Sequence, residues 1–421
     1  MAADLTMTSS SGGPTPVVGG IVPGAPVLRW SSRATSIAEI ERELTRIWAG
    51  PRLVTAVAGV EERHIAARTS VINLVVVARR PEIGERCAAT ISQLTGRHPS
   101  RILVVSSRDP DGPNWLDARI QAHCVMPRAD APEICAEMIH LLAGGATGRH
   151  LSAIVAPLLI HDLPVTLWWP GEPPFGTEQA NDLLAMADRL IVDGSTWSGD
   201  GLTRLREMSR LLDRPPNALP SLAVSDFALV RQSRWREAIA SVFDVPEFLP
   251  YLRYVRRIGV TYGTRDETEP AGSTNIVKPL YHVAWFGSRL DMAIRKPFAA
   301  ASRGLAAGRG LAALMAGPHG DVAVTIRPVV STLPSGTTLR VELTAERRGS
   351  ELRAVVTAEA ESVQVRCTLD GVPLMTRSFL APRRIDVDLL AEAIEAGSRD
   401  PIASDTISFA AALAGEPSAL S

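Results

Sequence analysis

The chain has 421 residues, more than a single hydrophobic core normally spans, so two domains are expected. Hydrophobic residues make up 46% and charged residues 21%, a globular balance that excludes wholesale disorder. Lys plus Arg number 44 against 45 Asp plus Glu, a net charge of −1, so no broad field favours a polyanion and nucleic acid is not expected as the main partner.

The four cysteines, Cys87, Cys124, Cys135 and Cys367, are widely spaced and form no CxxC pair. Neither a zinc knuckle nor a disulfide framework is expected, which suits a reducing compartment. Asp4 stands where a signal peptide needs positive charge, and no long apolar stretch follows it. The cleanest apolar run, Leu151 to Ile160, is about half of the roughly 20 residues a membrane span requires. A soluble, cytoplasmic protein with no membrane partner is the expectation.

Residues 1–31 are rich in Ser, Thr, Gly and Pro and predict a disordered arm. Ser36 followed by Glu39 has capping-box spacing, and Ile37, Ile40, Leu44 and Ile47 then mark one helical face. Val71 to Val77 is a β-branched run suited to a doubly buried strand. A helix over 82–95, a strand over 102–105 and a turn at Asp109-Pro110-Asp111-Gly112-Pro113 follow. Arg119 to Met126 predicts a strand and Pro132 to Leu142 a helix, ended by Gly144-Gly145. Residues 151–160 fit a buried helix or a strand equally. Strand 165–169, helix 177–187, strand 189–193 and helix 201–212 complete an alternation that predicts a largely parallel sheet with helices on both faces.

Arg214-Pro215-Pro216 marks the expected boundary, giving an α/β domain over 32–215 and an α+β domain over 216–421. The second half predicts helix 234–243, strand 251–262 and helix 276–295. Strands 321–330, 337–347, 351–360, 362–369 and 372–380 follow, joined in part by hairpin turns at Pro334-Ser335-Gly336 and Asp370-Gly371. Helix 386–396 precedes a small-residue, flexible tail.

The α/β half is Rossmann-like in pattern yet lacks the G-x-G-x-x-G fingerprint, and no P-loop or G-x-S-x-G elbow occurs. The glycine cluster Gly144-Gly145-Ala146-Thr147-Gly148-Arg149 follows a predicted helix, where it suits a C-cap better than a phosphate. Histidines and carboxylates show no metal or acid–base spacing, so neither a cofactor nor a metal is expected. On a strand, Trp169 shares a face with Val165 and Leu167 while Trp168 opposes it. Both indoles stand at the carboxyl end of a predicted parallel strand, where ligands and partners meet α/β sheets, or they pack beneath crossover helices. Arg234-Trp235-Arg236 opens a helix and suits either an anion or partner carboxylate, or a packed Trp with surface arginines. Arg253 and Arg257 are expected to share one strand face, opposite Arg256.

These stretches resemble the OpcA family of glucose-6-phosphate dehydrogenase assembly proteins. The resemblance rests on Val71–Val77, Arg101–Val105, Ala122-His123-Cys124, Asp162-Leu163-Pro164-Val165-Thr166-Leu167-Trp168-Trp169, Asp188–Asp193, Trp235-Arg236-Glu237 and Phe243-Asp244. It covers most of residues 35–245, and the D-L-P-x-x-L-W-W block is its most specific part. It implies an allosteric activator that binds oligomeric glucose-6-phosphate dehydrogenase and controls entry into the oxidative pentose phosphate pathway. Asp162, Pro164, Trp168, Trp169, Trp235 and Arg236 are the candidates for partner contact or for a domain junction. Thiol oxidation regulates cyanobacterial members; no local cysteine pair is visible here, so a redox switch is expected to be absent or to need a contact between distant cysteines. The alternative reading is an enzyme on a sugar phosphate or nucleotide with an atypical phosphate site.

Overall fold

The computed structural model describes residues 25–49, 56–57, 60–61, 67–68, 70–126, 134–212, 222–266, 272–302, 309–396 and 400–415. Its contacts divide the chain into two compact units, Met1–Thr166 and Leu167–Ser421. The expected boundary at Arg214-Pro215-Pro216 lies outside the described residues.

Unit 1 begins with β1 (Val27–Ala34) and α1 (Ile37–Ala49), then the two-residue strands β2 (Ala56–Val57), β3 (Val60–Glu61) and β4 (Ala67–Arg68). It continues through β5 (Ile72–Ala78), α2 (Pro81–Ser92), β6 (Ser100–Ser107), β7 (Trp115–Val125), β8 (Ile134–Gly144), α3 (Gly145–Arg149) and α4 (Leu151–Val155). The sheet order is β1-β7-β8-β6-β5, with β4 also on β8. Pairs among β4, β5, β6 and β8 are parallel, whereas β1–β7 and β7–β8 are antiparallel. The parallel sheet is therefore mixed at one edge. Strand β1 starts inside the expected arm; of its residues only Ala34 is buried, so it carries little apolar pattern and is held by its ladder to β7.

Helix α1 forms as its spacing dictates, with Ile40, Leu44 and Ile47 buried. Ser36 Oγ accepts from the Glu39 N–H at 3.3 Å, while the Glu39 carboxylate reaches back to Thr35 N and Oγ1 at 2.7 and 2.9 Å. Those bonds from Thr35 hold Glu39 below the usual carboxylate range. The predicted helix over 132–142 is a correction: Ile134–Gly144 is a strand between β7 and β6. Burial on both faces removes the alternation that would have marked it, and chance apolar spacing read as helical. The β7–β8 pairing sets Cys124 opposite Cys135, and the two form a disulfide, contrary to the expectation of no such framework. Cys87 and Cys367 are buried and lie outside this disulfide, and burial pushes Cys367 up to about 11.

Strand β9 (Val165–Trp168) carries the chain across the unit boundary. Unit 2 continues with α5 (Glu178–Ala185), β10 (Arg189–Val192), α6 (Leu202–Leu212), β11 (Ala223–Asp226), α7 (Phe227–Val230) and α8 (Ser233–Phe243). Then come β12 (Val255–Thr264), α9 (Val277–Arg289), β13 (Ala293–Ala300), β14 (Leu311–Gly317), β15 (Gly320–Val330), β16 (Thr338–Arg347), β17 (Ser350–Ala358), β18 (Ser362–Leu369), β19 (Val372–Leu380), α10 (Asp386–Glu395) and α11 (Pro401–Ala414). Strands β10 and β11 are parallel. The second sheet has the order β13-β14-β15-β12-β16-β17-β18-β19 and is antiparallel except at β12–β15. The coarse expectation of a mostly parallel and a mostly antiparallel sheet, each with helices, holds. Arg253 lies in a 3₁₀ turn ahead of β12, and a bulge after Val255 breaks the strand alternation expected for the three arginines. Among the described residues no helix is long and apolar enough to cross a membrane.

The expected flexible tail is corrected at 401–414, where α11 packs on α9 and α6. Asp400 caps it through Ile402 N at 2.9 Å, Pro401 occupies its first turn, and Ile407, Ala410 and Leu413 are fully buried. Its alanines hid the face from a hydrophobic count while allowing close approach. A Cβ on Gly287 of α9 would lie 2.2 Å from Phe409. Gly287→Ala gains about 1 kcal/mol of helix propensity but forces Phe409 aside at about 1–3 kcal/mol. Net destabilisation is expected in urea melts, and a stabilised variant would show that α11 does not seat there.

Candidate functional site

In α/β folds, ligands meet the carboxyl ends of parallel strands. In unit 2 those ends carry two aspartates: Asp193 follows β10, and Asp226 closes β11. Each ends an apolar strand and caps the next turn. Asp193 Oδ1 accepts from Ser195 N and Oγ at 3.2 and 2.6 Å, and its Oδ2 takes Arg231 at 2.7 Å. Asp226, 1% exposed, accepts from Gly194 N and Ala228 N at 2.8 Å each and from the Tyr281 hydroxyl at 2.7 Å. Asn275 donates to Gly194 O and Trp197 O at 2.8 and 3.0 Å and accepts from Val277 N. The strand ends, the 3₁₀ turn Gly194–Thr196, α7 and the start of α9 thus form one network.

Burial and the neighbouring Asp193 charge push Asp226 up to about 6, while its three donors oppose the rise. Burial and Asp226 hold Tyr281 well above its ordinary range. Lys278 in the first turn of α9 is half-buried and lowered by desolvation and by Arg231 and Arg383, with Asp193 opposing. Its ammonium makes no hydrogen bond or ion pair among the described residues. His282 is buried with neither ring nitrogen bonded among the described residues, and desolvation pushes it down to about 3. The carboxylates are bonded on both oxygens, so neither offers a ready general base. A second polar cluster lies in unit 1, where Arg119 meets Glu85 at 2.5 Å and His140 Nδ1 at 3.2 Å beside a cavity of about 120 Å³. Burial and Arg119 push His140 down to about 4. Among the described residues no metal-ligand group of three converges.

The glycine cluster is also corrected. Gly144 ends a strand and Gly145, at φ +58°, opens α3, which is the strand-to-helix position a phosphate loop would use. Its space is already filled: Ala146 N donates to Asn114 Oδ1 at 2.6 Å, and the Trp115 indole lies against Gly144.

Asp162 occupies an exposed turn at φ +65°, and Pro164 is exposed beside it. Asn73 of β5, fully buried, fixes that turn: its side chain bonds Ile160 N and O at 2.8 and 2.9 Å and Leu163 O at 3.2 Å. Its N–H donates to Pro164 O at 2.9 Å. Trp168 and Trp169 are both buried, so contact of either indole with a partner requires local opening. Trp168 sits 6.1 Å from Phe227, and its Nε1 has no partner among the described residues. Trp235 lies against His282 at 5.3 Å, and Arg236 donates to Leu229 O at 2.9 Å. Burial lowers Arg236, which lines a small cavity with Asp226 and Asp400. In unit 2, Trp168, Trp235 and Arg236 thus surround α7 and α9; Asp162 and Pro164 belong to the turn in unit 1. The sequence reading missed Asp193, Asp226, Arg231, Lys278 and Tyr281. The legible signal was an Asp at the end of each short strand, a cap position before a helical turn.

Fold and network together define a two-unit α/β protein whose strand-end carboxylates are bonded within the chain. Residues 91–210 match the family model described as the glucose-6-phosphate dehydrogenase subunit N-terminal domain of OpcA. A curated OxPP cycle protein OpcA of Synechocystis sp. is 24% identical over 201 residues, 47% of this chain and 38% of the relative. This chain is thus similar to OpcA proteins over these segments, and it spans about 38% of the length of that relative. Solved structures that resemble it include the transcriptional regulator Gal80p from Kluyveromyces lactis, at 10% identity and TM-score 0.41, covering 81% of this chain and 87% of that one. An aldose-aldose oxidoreductase from Caulobacter crescentus, also at 10% and 0.41, covers 82% and 97%. Likenesses at this level assign no activity.

Asp226 binds its proton more tightly folded than unfolded, so its contribution to stability is complete below about pH 3.8 and lost as pH rises through about 6. His282 acts oppositely, contributing fully above 6.5 and losing that as pH falls toward 3. Tyr281→Phe is expected to cost about 1–3 kcal/mol, more above pH 6, where the ionised carboxylate is the stronger acceptor, than below pH 4. Urea melts across this range check it; an equal loss at both ends would contradict the bond to an ionised Asp226.

Proposed function

We propose that this chain is a non-catalytic regulatory protein that binds oligomeric glucose-6-phosphate dehydrogenase and favours its active or assembled state. The match of residues 91–210 to the dehydrogenase-subunit family model carries the reading. The OxPP-cycle name of the Synechocystis relative agrees with it, as do strand-end carboxylates already bonded within the chain. By linkage, an activator binds the dehydrogenase's substrate-competent conformation more tightly than its relaxed one. A tenfold shift in apparent substrate affinity needs about 1.4 kcal/mol of differential contact, which a few interface side chains supply. The exposed turn at Asp162 and Pro164 and the Trp235–Arg236 helix start remain the proposed contact regions.

One observation favours a second reading. Lys278, Arg231 and Arg383 gather positive charge near Asp193 at the strand ends, a setting that suits a sugar phosphate or nucleotide.

A glucose-6-phosphate saturation curve of the same organism's dehydrogenase, with and without this chain, tests the proposal. A left-shifted curve or a raised plateau, with no turnover by this chain alone, is expected. Superimposable curves at molar excess would overturn it.

A further inference from the structure

The eight-stranded sheet of unit 2 has two edges of different character. Edge strand β13 carries Arg295, Lys296 and Pro297 in succession, charges and a missing N–H that discourage further pairing. Edge strand β19 is nine residues long and has Arg377 as its one charged side chain. Val372 is 59%, Leu374 50% and Leu380 71% exposed, all high values for large apolar side chains. Among the described residues β19 pairs with β18 alone, so its outer edge presents unsatisfied backbone donors and acceptors.

The hairpin end of this edge is closed to pairing. Pro373 lacks an N–H, and the register with β18 shifts at Cys367/Thr368, placing a bulge at Leu374. Met375–Leu380 is the regular stretch. Met375 and Phe379 are half-buried on the side of α8, and the Arg377 guanidinium is tied there by donation to Ser241 O at 3.0 Å. Thr376, Ser378 and Leu380 point to the opposite, exposed face.

We propose that β19 pairs antiparallel with β19 of a second copy, about a two-fold axis at Ser378. A two-fold axis perpendicular to a sheet keeps each residue on its own face, so only residues of the same parity can face each other. Centring on Arg377 would set like charges directly opposite, which is unfavourable. Centring on Thr376 would draw Pro373 and the bulge into the ladder. Centring on Ser378 uses regular backbone alone. It places Thr376 against the partner copy's Leu380, covering the most exposed of the large apolar side chains, and Arg377 against Phe379, a cation–aromatic pairing. The edge is therefore compatible with itself in register, with the two copies' Arg377 side chains set diagonally rather than directly opposite. A seam of one strand pair is at the small end of interfaces, so the dimer should be concentration-dependent rather than obligate. This inference does not depend on the dehydrogenase reading.

Sedimentation velocity of the full chain over a micromolar concentration series tests it. A monomer–dimer equilibrium is expected. Ser378→Lys alone and Ser378→Glu alone should each weaken it at least roughly tenfold by self-repulsion at the axis, with unchanged melting, since Ser378 is exposed. Mixing the two variants should restore the dimer. In Ser378→Cys, mild oxidation should cross-link two chains, whereas Glu178→Cys on exposed α5 should not. A monomer at every concentration would overturn the proposal, as would a dimer insensitive to Ser378→Lys. A monomeric wild type whose effect on the dehydrogenase is lost in Ser378→Lys would assign the edge to that partner instead.

Discussion

Asp226 sets the terms for unit 2. A carboxylate removed from water at the end of a parallel strand must be met by donors or kept protonated. The chain supplies two backbone N–H groups and a phenol, and each comes from a different element: the turn after β10, the start of α7, and α9. Satisfying one buried group therefore fixes how three segments meet. Unit 1 contains a parallel case in Glu137, 1% exposed, which accepts from Arg101 at 2.6 and 2.7 Å and from the Trp48 indole. Arg101 also donates to Leu158 O at 2.9 Å, tying β6 and β8 to the turn after α4. Such buried pairs contribute little net stability against apolar replacements, but removing one member leaves an expensive orphan.

This construction bears on function. The strand ends are where an enzyme of this architecture would hold its substrate, and here the acids are engaged with the protein's own donors. The exposed features lie elsewhere: the turn at Asp162, the start of α8, and the β19 edge. That division accords with the proposed regulatory role.

Much of the fold was legible in the sequence. The capping spacing of Ser36 and Glu39, the β-branched run before Ala78, and the hairpin turn at Asp370-Gly371 all state their structure locally. What was illegible depended on burial. Strand β8 lost its alternation because both faces are covered, and with it went the facing cysteines, eleven residues apart and paired only once the strands align. Helix α11 hid behind alanines that gain their meaning from Gly287 opposite. The tryptophans of the D-L-P-x-x-L-W-W block were visible as residues, but their burial was not. That the turn carrying Asp162 and Pro164 is held by Asn73, nearly ninety residues earlier, was not legible from any local pattern. The strand-end network was missed because its members are scattered from Asp193 to Tyr281, with no spacing that a motif could encode.

The claim that the strand ends are closed structure is tested most directly by melting this chain alone against glucose 6-phosphate, 6-phosphogluconate, NADP and ATP. Anything that binds the folded state raises its melting temperature by mass action. The account predicts no shift with any of them at saturating concentration. A dose-dependent rise that disappears in Lys278→Met would contradict it and establish a phosphate-ligand site at the ends of β10 and β11.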